Sequence, residues 1–222
     1  MTGPARYAQS RAKLADCTEH GAGCELILVE GDSARDSVLA VRDERIQAVL
    51  PLQGKPLNAW AASRERVEQQ VLFRQLADAL GLPSPTALPE GGVTALRFER
   101  IVLLFDPDAD GIHIGALMQL YCARWLPAVV EAGVLWLVRA PMFELVDADG
   151  VLHHALTPEH RDRIARALSS AQAAPVPPMV RALRGLGGFA PETLRRLCVD
   201  PATRLARRVT PDDIEQVIAL FG

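Results

Sequence analysis

Four acidic residues stand where apolar runs end. Glu30 closes the run CELILV, and Asp106, Asp108 and Asp110 close the run IVLLF, spaced two apart and followed by Gly111. Three carboxylates packed this closely repel one another, and apposing them costs free energy unless a cation neutralises them. A hard, oxygen-seeking divalent ion such as Mg²⁺ is the natural one. Asp32 and Ser33 come just after Glu30 and Gly31, and Lys55 stands between the two acidic stretches in the segment PLQGKPLN, where Gly54 permits close backbone approach and the lysine offers a point charge suited to phosphate. Taken alone, DPDADG fits a solvated acidic turn equally well. An EF-hand loop is excluded, because its twelfth-position glutamate is missing and an apolar run, not a helix, precedes the acids. The second DADG, at 147–150, has a polar context and reads as a turn only.

The elements that must carry these residues follow from the pattern of apolar runs. Short, β-branched runs bounded by Pro and Gly read as strands buried on both faces. Strands are expected at 24–29, 46–50, from Ile101 onward, and at 134–138. Helices are expected at 33–42, with Ser33 as N-cap, at 64–80, with Val67, Val71, Leu72, Leu76 and Leu80 as a core stripe, and at 112–131, kinked or ended by Pro127. Alternation of this kind argues for an α/β fold: a Rossmann-like parallel sheet flanked by helices. In such a sheet ligands bind at the carboxyl ends of the strands, where Glu30 and Asp106 would converge. A hairpin at 142–145 and 151–155 follows, then three short helices announced by Thr157 and Pro158, Ala190 and Pro191, and Thr210 and Pro211. The expected division is a lead-in at 1–23, a main domain at 24–146, and a hairpin with a C-terminal helical extension at 147–222.

With 222 residues, 49% hydrophobic and 23% charged, the chain has the composition of an ordinary globular protein. Its net charge of -3 rules out blanket basicity, and only Lys13 and Lys55 are lysines, so polyanions would meet arginine on a local patch. Arg181 to Arg208 holds seven arginines against Glu192 and Asp200, which fits a basic surface or a solvated helix face. No apolar run reaches membrane-spanning length and the first residues lack a signal-peptide core, so a cytoplasmic protein is expected. Cys17, Cys24, Cys122 and Cys198 form no CxxC pair, in keeping with reduced thiols. Cys17, His20 and Cys24 could ligate zinc but lack an evident fourth ligand. For His153 and His154 a satisfied or surface role is expected. Gly185, Gly187 and Gly188, after the linker AAPVPP, could admit a nucleic-acid backbone or form a flexible connection.

EGDSA at Glu30 to Ala34, PLQGKPLN at Pro51 to Asn58 and DPDADGIHI at Asp106 to Ile114, in this order, resemble the TOPRIM domain of bacterial type IIA topoisomerase B subunits, the gyrase B and topoisomerase IV family. The likeness extends outward through KLADC at Lys13 to Cys17, APMFEL at Ala140 to Leu145, RGLGGFAPETL from Arg184 and DPATRLARRVT from Asp200. It implies that Glu30, Asp106, Asp108 and Asp110 hold one or two Mg²⁺ ions, for which Mn²⁺ may substitute. Glu30 would also exchange a proton with the ribose 3′-oxygen, with Asp106 and Lys55 sharing the catalytic role. Double-stranded DNA would be met by Asp32, Ser33, Lys55, His113 and Arg184.

The departures fall on DNA-facing positions. Arg35 and Asp36 replace a glycine pair, Gln53 a basic residue, Gly115 an arginine and Gly188 a glutamate. The family's ATPase domain has no counterpart here, so no ATP binding is expected. Its cleaving tyrosine belongs to a partner A-type subunit, and the tyrosines here are Tyr7 and Tyr121, the latter expected inside a core helix. Three functions follow from the resemblance: the metal half of a topoisomerase completed by an A-type subunit, a non-catalytic regulator that docks on a topoisomerase or DNA, or a metal-dependent nuclease.

Overall fold

The computed structural model describes residues 13–170 and 177–222; Tyr7, the start of the lead-in and most of the AAPVPP linker lie outside them. The order is β1 (Gly21–Glu30), α1 (Gly31–Leu39), β2 (Gln47–Leu52), α2 (Arg64–Gln69), α3 (Val71–Leu80), β3 (Phe98–Leu103), α4 (Ala109–Trp125), α5 (Pro127–Glu131) and β4 (Leu135–Val138). These strands form one sheet in the order β2-β1-β3-β4, all parallel, as the alternation predicts. Cys24 to Val29 are all buried, so β1, in the interior of the sheet, reads as an unbroken apolar run apart from Glu25.

The two faces of the sheet sort by the two-residue period of its strands. Leu26, Leu28, Leu50, Ile101 and Leu103 pack with α3, α4 and α5, whereas Ile27, Val29, Val49, Val102 and Leu104 face the other way. That second face is closed by Ala34 and Val38 of α1 and by Leu183, Leu186, Phe189, Leu194, Leu197 and Val199. Residues 183–199 therefore complete the core of the sheet.

The hairpin forms as β5 (Phe143–Val146) and β6 (Leu152–Ala155), followed by α6 (Pro158–Ser170). Two strands had no signal in the sequence. β7 (Met179–Ala182) pairs antiparallel with β5, and β8 (Ala206–Arg208) pairs antiparallel with β4 at the sheet edge. The predicted C-terminal helices are α7 (Pro191–Leu194), which runs into a π-helical turn at Arg195–Val199, and α8 (Pro211–Phe221), whose Thr210 and Asp213 form a capping box.

Four expectations change in detail. The helix expected at 64–80 breaks at Gln70, which is extended (φ -70°, ψ 126°). Val67 and Leu72 are five residues apart and would stand about 140° apart on one helix; the break lets both be buried and leaves Val71 58% exposed. β2 runs on through Pro51 because it is an edge strand, where a residue without an N–H is tolerated. The first helix starts at Gly31 (φ +72°), so Ser33 sits in its first turn and does not cap it. Finally, of the seven arginines in the arginine-rich stretch only Arg204 is buried, against Glu25; Arg207 pairs with Asp213 and Arg181 with Glu144 while remaining exposed.

Candidate functional site

Glu30 is the last residue of β1, and Gly31 turns the chain directly into α1. On one side β2 ends at Leu52, opposite Glu30, and leads through Gln53 and Gly54 (φ +79°) to Lys55. On the other side Leu104 donates its N–H to Leu28 O at 3.0 Å, after which the chain passes through buried Phe105 to Asp106. The three strand ends thus bring Glu30, Lys55 and the aspartates together. Asp108 is the N-cap of α4 and accepts the Gly111 N–H at 2.9 Å, and Asp110 lies in the first turn. Gly111 is dictated by packing, because a Cβ there would stand 2.1 Å from the Asp106 carbonyl oxygen.

The electrostatics are those of excess negative charge. Burial, and then the charges of Asp106, Asp108 and Asp110, push the Glu30 carboxyl above its ordinary range, with Lys55 opposing them. Asp106 is also raised, chiefly by burial, although the N–H of Leu186 donates to its Oδ1 at 2.8 Å and works against the shift. Lys55 Nζ lies 2.7 Å from Asp110 Oδ1 and lowers that carboxyl. The donor set is entirely carboxylate oxygen, which suits Mg²⁺ or Mn²⁺ over softer ions. The chemistry of these donors fits such a cation, and closing on it would draw the acids nearer, since no three of them bring ligand atoms within 4.8 Å of one another in this structure.

The glycine segment expected to approach nucleic acid or to link flexibly instead packs on the acids. A Cβ at Gly185 would lie 3.0 Å from Asp106 Oδ2, and one at Gly187 3.4 Å from Ser33 Oγ. Leu186, buried between them, is the site neighbour that sequence reasoning missed; the clustered glycines of RGLGG were its only signal.

The residues expected to face DNA are placed unevenly. Ser33, Lys55 and Arg184 are exposed, and Arg184 directly precedes Gly185. Asp32 accepts from Gln53 Nε2 at 3.0 Å and lies 3.7 Å from Arg35, which also holds Asp36 at 2.8 Å, so the substituted positions form a network of their own. His113 stacks on Phe221 of α8 with ring centroids 5.4 Å apart. Tyr121 is fully buried as expected, donating its hydroxyl to Pro85 O at 2.6 Å and stacking on Phe73. His153 Nε2 meets Asp147 Oδ2 at 2.9 Å, as a satisfied role requires, whereas the buried His154 Nε2 lies 3.5 Å from Glu144 Oε2 and makes no hydrogen bond.

Among the described residues no helix is long and apolar enough to cross a membrane. Residues 25–133 match the Toprim domain family. The chain is 34% identical over 206 residues to the B subunit of DNA topoisomerase 4 from Rickettsia prowazekii, covering 92% of this chain and 30% of that protein. It is 33% identical over 202 residues to the corresponding protein of Escherichia coli (90% and 31%) and 34% identical over 203 residues to that of Pseudomonas aeruginosa (90% and 31%). The chain thus spans about 30% of the length of these relatives. With its parallel sheet, its strand-end acids and these matches, residues 25–133 form a Toprim domain, and the chain is similar, over most of its own length, to one region of topoisomerase IV B subunits.

Proposed function

We propose that Glu30, Asp106, Asp108 and Asp110 bind Mg²⁺ and that this domain supplies the metal-dependent half of a DNA cleavage and rejoining site, with the nucleophilic tyrosine coming from a topoisomerase A-type subunit in the cytoplasm. The observation that carries this reading is the convergence of strand ends: Glu30 closes the interior strand β1 opposite Leu52 of β2, Asp106 and Asp108 follow β3, and Lys55 Nζ stands 2.7 Å from Asp110 Oδ1. When bound, the metal would position the scissile phosphate and stabilise charge on the leaving oxygen. The protein's own groups do the rest. Glu30, its proton held more tightly than that of a free carboxyl, exchanges it with the ribose 3′-oxygen. The Leu186 N–H fixes the Asp106 carboxylate, and the α4 cap fixes Asp108. Lys55 and Arg184 offer positive charge to the backbone of double-stranded DNA. Tyr121 cannot serve as nucleophile while it is buried and hydrogen-bonded to Pro85.

A second reading, a regulator that binds DNA or a topoisomerase without cutting, is favoured by the self-paired network of Asp32, Arg35, Asp36 and Gln53 and by Phe221 stacked on His113. The test uses supercoiled plasmid with Mg²⁺, the protein alone and mixed with an A-type subunit from the same cell, stopped with detergent. Protein-linked breaks only in the mixture support the proposal. Breaks with the protein alone indicate a metal-dependent nuclease, and intact plasmid in both arms indicates the regulator. Calorimetry with Mn²⁺ isolates the metal step: Asp108→Asn, which keeps an N-cap side chain, is expected to weaken binding at least tenfold, and equal binding in the variant would remove the site.

A further inference from the structure

Away from the acids, the segment leading into β1 places three different metal-binding groups side by side. Asp16, Cys17 and His20 each offer one ligand atom, and these atoms all lie within 4.8 Å of one another. Tetrahedral zinc with sulfur, nitrogen and oxygen ligands needs separations of about 3.3–3.7 Å, which follow from bond lengths of about 2.0–2.3 Å. Only small side-chain rotations close that gap. Cys24, the third residue expected from the sequence, is not a member of the group; Asp16 takes its place.

A cation already stands between two of these groups, while the Cys17 thiol donates to the Glu19 carbonyl at 3.0 Å. Arg97 Nη2 lies 2.5 Å from Asp16 Oδ2 and 2.6 Å from His20 Nε2, while His20 Nε2 is also 3.1 Å from Asp16 Oδ1. Those demands conflict at the imidazole. A protonated Nε2 suits Asp16 but meets the Arg97 N–H donor to donor at 2.6 Å, and an unprotonated Nε2 suits Arg97 but turns its lone pair toward the carboxylate. A metal ion resolves the conflict, because the imidazole lone pair, the carboxylate and the thiolate all act as donors to it. Arg97 has other anchors, the Ala79 carbonyl at 3.0 Å and the Phe98 ring at 5.3 Å from its guanidinium carbon, and can give up this corner.

We propose that Asp16, Cys17 and His20 form a three-ligand site for Zn²⁺, with water as the fourth ligand and the Arg97 guanidinium as its built-in competitor. Zinc binds the Cys17 sulfur as the thiolate, the thiol proton passing to solvent, and the guanidinium withdraws from Asp16 and His20. The bound metal would pin the segment before β1. Its mixed sulfur, nitrogen and oxygen set selects zinc, whereas the oxygen-only acids at the other end of the sheet select Mg²⁺.

Cobalt(II) is the probe, added to the full-length protein under reducing conditions in the presence of excess Mg²⁺. The expected result is thiolate-to-cobalt charge-transfer absorption together with tetrahedral d–d bands, lost in Cys17→Ser and displaced by Zn²⁺. His20→Ala, a change at a side chain 38% exposed, is expected to weaken cobalt binding at least tenfold while the urea midpoint of the metal-free variant stays close to wild type. Arg97→Gln, which removes the competing charge, is expected to tighten it at least threefold. Absence of thiolate charge transfer in the wild-type protein, or a spectrum unchanged in His20→Ala, would overturn the site. Binding in Arg97→Gln no tighter than in wild type would overturn the competitor.

Discussion

Arg204→Met tests whether the C-terminal segment is held to the sheet by charge. Arg204 donates to both oxygens of Glu25, Nη1 at 2.7 Å and Nη2 at 2.6 Å, and also to the Val199 carbonyl at 3.2 Å. The Arg204 side chain is 2% exposed and that of Glu25 0%, so the methionine variant leaves a carboxylate buried without its main partner. Breaking one side of such a pair costs about 3–5 kcal/mol. Glu25 keeps Gln47 Nε2 at 3.0 Å and Arg100 Nη1 at 3.2 Å, which puts the expected loss at the lower end, about 3 kcal/mol. With a urea dependence of about 2 kcal/mol per molar, the unfolding midpoint falls by about 1.5 M. Tryptophan fluorescence reports it directly, since Trp136 lies on β4, which pairs with β8 just beyond Arg204. The double variant Glu25→Met with Arg204→Met removes both charges and is expected to recover at least half of the loss. A single variant that loses less than about 1 kcal/mol, or a double variant as unstable as two independent losses would make it, would refute the reasoning.

Other outcomes follow from the same geometry. Gly111→Ala drives a methyl group into the Asp106 carbonyl and is expected to cost at least about 3 kcal/mol, read as a lowered melting temperature. Asp213 is held down to about 2, first by its hydrogen bond from Arg207 and then by Thr210. Because that carboxyl is depressed on folding, its contribution is complete above the unfolded value near 3.8 and is lost as pH falls toward 2. With Arg207 half exposed the contribution is about 1 kcal/mol, so the gap in urea midpoint between wild type and Asp213→Asn should narrow from about pH 5 to about pH 3. Tyr121→Phe deletes a buried hydroxyl and is expected to cost about 1 kcal/mol in urea unfolding while leaving any protein-linked DNA breaks unchanged.

The sheet was legible because buried parallel strands write themselves as unbroken apolar runs, and its carboxyl-end acids were legible because each run stops at one. What escaped depends on partners far away in the chain. Glu25 reads as an ordinary strand residue until Arg204, 179 positions later, is brought against it. That pairing takes one arginine out of the stretch between 181 and 208 and leaves the other six exposed. β8 is three residues long and carries no alternation, so only its position beside β4 makes it a strand. The break at Gln70 is likewise a tertiary choice: local periodicity supports a continuous helix, and the core gains Leu72 and Phe73 by interrupting it.

The two ends of β1 connect these facts. Near its start Glu25 is clamped to Arg204, and at its other end Glu30 stands among the aspartates. Between those points the face bearing Ile27 and Val29 is covered by residues 183–199. The same segment delivers the Leu186 N–H to Asp106 and the backbone of Gly187 to Ser33. The C-terminal segment is therefore core, clamp and site wall at once. Loosening the buried ion pair reaches Asp106 through one continuous stretch of packed chain. Asp106 is the acid most exposed to that loss, because burial raises its carboxyl and the Leu186 N–H is the contact that counters the shift.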